Sequence, residues 1–392
     1  MDIKALAQKY QDYMVEMRRH FHQHPELTYE CVETCKRMRE EFVKIGITDI
    51  TDSKTCQGFV ARLKGGKPGK TVGLRADIDA LPVNEETGLP FASQNPGKMH
   101  ACGHDNHMAC ILGAAKVLYE IREELCGTVA FIVQPDEEFA TGALAMVDEG
   151  LVNDCDAFYG QHVWGAFPEG MIDASAGNRM ACCHHFGITV EGLSSHASAP
   201  HLGCDAVVVM TAILNAIQTM VSRWNDPLNP LVITVGKVDA GNRWNVLAGK
   251  AELEGTVRTF LSDDSVEKRL EQMVKNIGEA YGANCFVHDY LYMTVPVIND
   301  PALSAIAEKG IADMFGEERI LHHEPLMGSE DYSWFGFKTG KPYVYAFIGT
   351  RNEADGRVYV NHHEKYDVKE DLLQDGAAVM ARFAYDYLNG EE

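Results

Sequence analysis

No Cys-x-x-Cys pair occurs among the eleven cysteines, so zinc-ribbon and thioredoxin-like readings have no support. No unbroken apolar run approaches the roughly 18 residues that a membrane span needs. The stretch from Met1 to His20 reads as an amphipathic helix with charges throughout, and it lacks the continuous apolar core of a secretion signal. Basic charge is scarce. Lys and Arg number 35 against 57 Asp and Glu, leaving a net charge of −22 that repels phosphate backbones and anionic lipid. Nucleic acid and membrane are therefore excluded as partners. Internal repeats and low-complexity linkers are missing as well. What remains, 46% apolar and 23% charged residues over 392 positions, is the balance of a folded chain long enough for two domains. Thiols such as Cys110 and Cys155 stand in apolar surroundings and are expected to be buried and reduced, which fits a cytoplasmic protein.

The first part of the chain alternates helices and strands. Helical patterns cover 3–23 and 29–45, with strand-like runs over 58–63 and 71–75. A helix over 106–123, a strand over 128–133, a helix near 142–149 and a strand over 157–160 follow. This rhythm predicts an α/β fold, with a mostly parallel mixed sheet flanked by helices. Near residue 183 the rhythm changes. Strand 186–190, helix 206–222, strands 231–238 and 251–260, helix 263–281 and strand 284–292 give the order βαββαβ, that of a ferredoxin-like sandwich. Asp263 and Asp264 open the second of those helices as N-terminal caps. After Pro296 alternation resumes, ending in a helix over 370–388. The expected organisation is a catalytic domain of residues 1–182 and 295–392 interrupted by an inserted domain of residues 183–294.

Four short stretches carry ligand-type side chains. In Met99-His-Ala-Cys-Gly-His-Asp-Asn-His107, Cys102 and His104 stand two apart, so an extended segment presents both on one face. His100 and His107 read as surface or capping residues. Glu137 and Glu138 follow an apolar strand, where active sites of open α/β sheets lie. Adjacent side chains diverge in regular structure, so a turn must present this pair. His162 stands at another strand end, and His362 and His363 near the C-terminus. Singly, each has a plainer meaning: a buried thiol beside a capping histidine, a solvated acidic turn, a structural histidine. Their recurrence at strand ends of one domain favours a metal site.

Five ordered motifs carry a resemblance. Leu74-Arg-Ala-Asp-Ile-Asp-Ala-Leu-Pro82, His100-Ala-Cys-Gly-His-Asp105, Gln134-Pro-Asp-Glu-Glu138, Gly192-Leu-Ser-Ser-His-Ala197 and Met327-Gly-Ser-Glu-Asp331 are similar to those of the dinuclear metallo-aminoacylase/carboxypeptidase superfamily. Within it they resemble the branch of hippurate, N-acyl-amino-acid and auxin-conjugate amidohydrolases, over residues 15–385. The resemblance implies two divalent metal ions per subunit (zinc, manganese, cobalt or nickel) held by Cys102, His104, Glu138, His162 and His362. His363 competes for the last place, and the following Lys365-Tyr-Asp-Val spacing favours His362. Glu137 is implied as general base. Asp79, and less firmly Asp77, would orient ligands, with a direct metal contact by Asp77 left open. His196 is implied to polarise the scissile carbonyl, often in the partner subunit of a homodimer, and the inserted domain to act in lidding and dimerisation. Asn245 and Arg258 are the candidates for gripping substrate. Ser194 and Ser195 replace two glycines of the motif, His184 a common aspartate, and Asn361 a usual apolar residue.

The expected reaction is hydrolysis of the amide bond of a small N-acyl amino acid by an activated water, with Glu137 moving the proton. Dipeptidase or carboxypeptidase activity of the same superfamily is the nearest rival. A catalytically inactive dimeric binding protein would have lost a ligand or the base, and none is missing. A deaminase-like zinc site needs Pro-Cys-x-x-Cys, which is absent.

Overall fold

The computed structural model describes residues 1–390. They form two compact units. Residues 1–179, 298–324 and those from 331 onward make the larger one, and residues 180–297 with 325–330 the smaller. The strands in chain order are β1 (Asp49–Asp52), β2 (Phe59–Lys64), β3 (Lys67–Asp77), β4 (Cys126–Gln134), β5 (Ala157–Pro168), β6 (Ile172–Asp173), β7 (Gly177–Met180), β8 (Cys183–Glu191), β9 (Leu231–Ala240), β10 (Lys250–Thr259), β11 (Asn284–Thr294), β12 (Val297–Asn299) and β13 (Tyr343–Arg351). The helices are α1 (Ile3–Lys9), α2 (Gln11–Gln23), α3 (Val32–Ile45), α4 (His104–Glu120), α5 (Gly142–Asp148), α6 (Ala206–Thr219), α7 (Ser265–Tyr281), α8 (Pro301–Phe315), α9 (Ser333–Thr339) and α10 (Leu372–Asn389).

The sheet of the larger unit runs β1-β2-β4-β3-β5-β13-β6. Its central pairs β4–β3, β3–β5 and β5–β13 are parallel, and its outer pairs are antiparallel. Helix α4 packs on β3 and β5 and is covered in turn by α1, α2, α3 and α10. Sandwiched this way, it buries nearly every residue from His104 to Leu118. A helix enclosed on all sides carries no polar stripe, which is why its amphipathic signal is weak.

Two expected helices change shape for identifiable reasons. The predicted helix 3–23 breaks at Tyr10, where Lys9 and the Tyr10 hydroxyl both reach Glu120 at the end of α4. The predicted helix 29–45 starts only at Val32. There the Glu26 carboxylate accepts the N–H groups of Glu33 and Thr34, doing a cap's work from outside the helix.

The smaller unit has the sheet order β11-β8-β10-β9, all antiparallel, in the chain order βαββαβ with α6 and α7. Helix α6 and the π turn that extends it to Trp224 are long and apolar enough to cross a membrane by length and composition, which a count of unbroken apolar residues overlooks. In the structure α6 is one-sided. Ala206, Val209, Met210, Ile213 and Ile217 are buried among Phe186, Ile188, Leu253 and Leu270.

Beside the start of α4 lies a buried ionic network. Arg18 and His22 of α2, each no more than 2% exposed, share Asp105 at 3.2 and 2.9 Å. Arg18 also reaches Asp367 (2.7 Å), and His22 reaches Glu85 (3.0 Å). Burial alone drives the His22 ring toward neutrality, but Asp105 and Glu85 hold its pKa at about 9. Because this value is raised, the stabilisation is complete below the unfolded value of about 6.5 and is lost as pH rises through about 9. Asp105→Asn leaves two buried cations short of a counter-ion and is expected to cost about 3–5 kcal/mol. It should also flatten the loss of stability between those two pH values. Denaturation midpoints of both proteins across that range check both effects, and equal midpoints at neutral pH would refute the assignment.

Candidate metal centre

The site of the larger unit forms where β3 and β4 deliver their carboxyl ends beside the middle of β5, which carries His162 inside the strand and not at its expected end, with α4 opening beside them. Arg75 locks these ends together. Fully buried, it donates to Asp77 (2.6 Å), to Gln134 at the end of β4 (2.6 Å) and to Asp331 (3.2 Å). Gln134 donates to the same Asp331 at 2.8 Å. The motif residues at 75, 77, 134 and 331 thus meet in one salt-bridged knot.

Cys102 and His104 converge by a turn, not by the extended segment expected from their spacing. Gly103 adopts φ +89°, and a side chain there would press on Val163 Cγ2, so glycine is required. His104 then becomes the first residue of α4. Glu137 and Glu138 lie on a tight turn in which Asp136 and Ala140 both take positive φ. Gly142 closes that turn, since a Cβ at this position would sit 1.6 Å from the Pro135 carbonyl oxygen. Asp79 fixes the pair from below. Its carboxylate accepts the N–H groups of Glu137 and Glu138, each at 3.1 Å, and the Thr28 hydroxyl at 2.8 Å.

Five donor atoms meet above this floor. Cys102 Sγ lies 3.3 Å from both His162 Nε2 and His362 Nε2. Glu138 Oε1 is 3.9 Å from His104 Nε2 and 3.7 Å from His362 Nε2. His104 Nδ1 donates to the Asp79 carbonyl (2.8 Å) and His162 Nδ1 to the Val163 carbonyl (2.7 Å). Each bond leaves an Nε2 lone pair facing the cluster. His104 Nε2 and Glu138 Oε1 are buried without any hydrogen-bond partner. A buried acceptor pair left unsatisfied is costly unless a cation joins it, and sulfur, nitrogen and oxygen donors together suit a borderline divalent ion. The donors fall into two triads, Cys102–His104–His162 and Cys102–Glu138–His362, each with its atoms within 4.8 Å of one another. Burial raises the Glu138 carboxyl to about 7, although His104 opposes this. The competing His363 turns away, stacking on Tyr359 with centroids 4.2 Å apart.

Sequence reasoning misplaced His100 and His107, which are buried rather than superficial. His107 donates from Nδ1 to Asp77 (2.6 Å) and accepts the Val163 N–H at Nε2 (3.0 Å). Its i,i+3 spacing from His104 on α4 was the available signal. Both Asp77 oxygens are engaged, one by His107 and the other by Arg75, with His104 Nε2 3.5 Å from the latter.

His196, Asn245 and Arg258 belong to the smaller unit. The exposed His196 pairs with Val246 in an antiparallel bridge, beside the bond from Ala197 N–H to the Asn245 carbonyl, which brings His196 and Asn245 onto adjacent segments. Ser198 N–H donates to His196 Nδ1 (3.2 Å), so the ring presents Nε2–H as a donor. The Asn245 side-chain oxygen is buried without a partner. Arg258 donates to Ser329 (2.7 Å) and pairs with no carboxylate among the described residues. His184 packs on Tyr292 at 4.2 Å, with burial lowering its pKa to about 4.

Comparison with known proteins agrees with this architecture. The chain is 35% identical to thermostable carboxypeptidase 1 of Saccharolobus solfataricus, over 99% of this chain and 98% of that protein. It is 40% identical to an N-acyl-L-amino acid amidohydrolase of Geobacillus stearothermophilus, over 76% of this chain and 81% of the relative. Among solved structures it is similar to the Bacillus subtilis protein YxeP, a dinuclear metal-binding peptidase (TM-score 0.86, 32% identity, 98% of this chain and 100% of that one). The model of the peptidase family M20/M25/M40 matches residues 73–386, and the chain belongs to that family.

Proposed function

We propose that the protein is a metal-dependent amidohydrolase that cleaves the amide bond of N-acyl amino acids. The observation that carries this is the pair of orphaned buried acceptors, His104 Nε2 and Glu138 Oε1, inside a five-donor cluster with a second glutamate beside it. Cys102, His104, Glu138, His162 and His362 would hold two divalent cations, as in the similar dinuclear peptidase. Such cations, when bound, polarise the carbonyl and make water acidic near neutrality.

The chain's own residues do the rest. Glu137, next to the ligand Glu138 yet free of the two triads, takes the proton of the attacking water and returns it to the leaving amine. Asp79 holds the turn that carries Glu137 through the Glu137 N–H. His196, donating from Nε2, stabilises the oxygen on which charge develops. Asn245 and Arg258 grip the substrate, an uncompensated guanidinium suiting a carboxylate. A homodimer in the cytoplasm completes the reading. Its support is the edge strand β9 with Val232 and Val238 exposed, and the neighbouring Trp244 at 89% exposure.

The similarity to a carboxypeptidase keeps peptides in view as substrates. The deciding experiment screens acetyl-, benzoyl-, fatty-acyl- and indolylacetyl-amino acids beside dipeptides and longer peptides. N-acyl amino acids are expected to turn over fastest, and activity should vanish on chelation and return with added cation. Preference for a free amino terminus would replace this reading with that of a dipeptidase. Full turnover after rigorous metal removal would overturn the metal centre.

A further inference from the structure

We propose that Asn361 is a positioning residue of the donor cluster, its one amide fixing the carbonyl that sets the His162 tautomer and tying that carbonyl to the Cys102 turn. This rests on the reading of the cluster as a metal centre. Asn361 Oδ1 accepts the Gly165 N–H at 2.9 Å, while Nδ2 donates to the carbonyls of Val163 (3.0 Å) and Cys102 (3.1 Å). The next residue adds a fourth bond, His362 N–H to the Ala101 carbonyl at 2.8 Å. Residues 361 and 362 therefore stitch together the turn that presents Cys102, the middle of β5 that presents His162, and His362 itself.

The Val163 carbonyl is where this matters most, because it also accepts His162 Nδ1–H at 2.7 Å. That bond keeps the ring's lone pair on Nε2, 3.3 Å from Cys102 Sγ. The Tyr366 hydroxyl also reaches this carbonyl at 3.4 Å, and a carbonyl shifted by loss of the Asn361 amide would loosen the tautomer along with it. His362 has φ +72°, in the left-handed region that non-glycine residues enter only occasionally. The pattern of one acceptor and two donors is that of an amide. Leucine matches asparagine in bulk and supplies neither function. Aspartate would set an oxygen against two carbonyls.

The test uses the full chain carrying Asn361→Leu or Asn361→Ala, titrated with zinc alone after chelation, with melting temperatures taken before and after loading. The wild-type chain should bind two ions and gain thermal stability on loading. Each variant should bind zinc about 10–100-fold more weakly at one or both positions, as loss of groups behind metal ligands typically does. The zinc-induced rise in melting temperature should shrink, and turnover should recover in excess zinc. A residue that merely supports the fold would lower both melting temperatures equally and leave the titration unchanged, and that result overturns the proposal. If the leucine variant does not fold, the smaller alanine decides alone. A wild-type chain that binds no zinc or other divalent ion would instead sink the metal centre itself, a failure visible before any variant is measured.

Discussion

Glu137→Gln is expected to lower turnover by about 10²–10⁴-fold, the usual worth of a general base, while the metal content stays that of the wild type. The turn explains why neighbouring glutamates differ so sharply. Both backbone N–H groups hang on the Asp79 carboxylate, which fixes the turn and so the direction in which each side chain leaves it. Glu138 Oε1 is then fixed between His104 Nε2 and His362 Nε2, buried and without a hydrogen-bond partner. Glu137 shares a donor group with His104 and Glu138 but is in neither of the triads that contain Cys102. An amide at 137 keeps size and polarity but cannot take a proton. An amide at 138 removes the negative charge that a cation would neutralise, so Glu138→Gln should instead lose metal, with activity falling in proportion to occupancy. Rates and elemental analysis of the two variants side by side separate the roles. A Glu137→Gln enzyme keeping more than about a tenth of its activity, or losing metal in step with it, would end the assignment of Glu137 as base.

Periodicity and strand ends expose much of this molecule from the sequence alone. The apolar run over 128–133 and the βαββαβ order after residue 183 reflect half-buried or buried elements whose side chains must repeat every two or 3.6 residues. The breaks are less legible because they are set by partners far away in sequence. Glu120 pins the turn at Tyr10, and Glu26 delays α3 to Val32. The same holds at the cluster. Cys102, His104, Glu138, His162 and His362 announce themselves as ligand-type residues in short motifs, although His162 lies inside β5 rather than at its end. His107, Thr28 and Asn361 do not, because their value lies in hydrogen bonds to groups many residues away, which leave no periodic trace. The turn at Gly103 was hidden for a similar reason: two residues spaced as in a strand can also converge across a left-handed glycine.

Cys102→Ala should be more damaging than loss of any other ligand, removing both cations and with them all turnover. Cys102 Sγ is the one atom common to the two triads, 3.3 Å from a histidine nitrogen of each. Every other donor serves one triad. His362→Ala should therefore leave Cys102, His104 and His162 able to keep one ion, giving a chain with about half its metal and little activity. The two triads also differ in access. The His362 side chain is 56% exposed, whereas those of His104 and His162 are buried, so the ion beside His362 is expected to exchange faster. The sulfur matters for charge as well as position, since as a metal-bound thiolate it would join Glu138 as an anion among the five donors. Without it, one anionic donor of the five is lost, a balance that favours release of both ions. Metal analysis after gel filtration of Cys102→Ala, His362→Ala and the wild type measures the asymmetry. A Cys102→Ala chain that kept one tightly held ion would show that the triads are independent and that the sulfur belongs to only one of them.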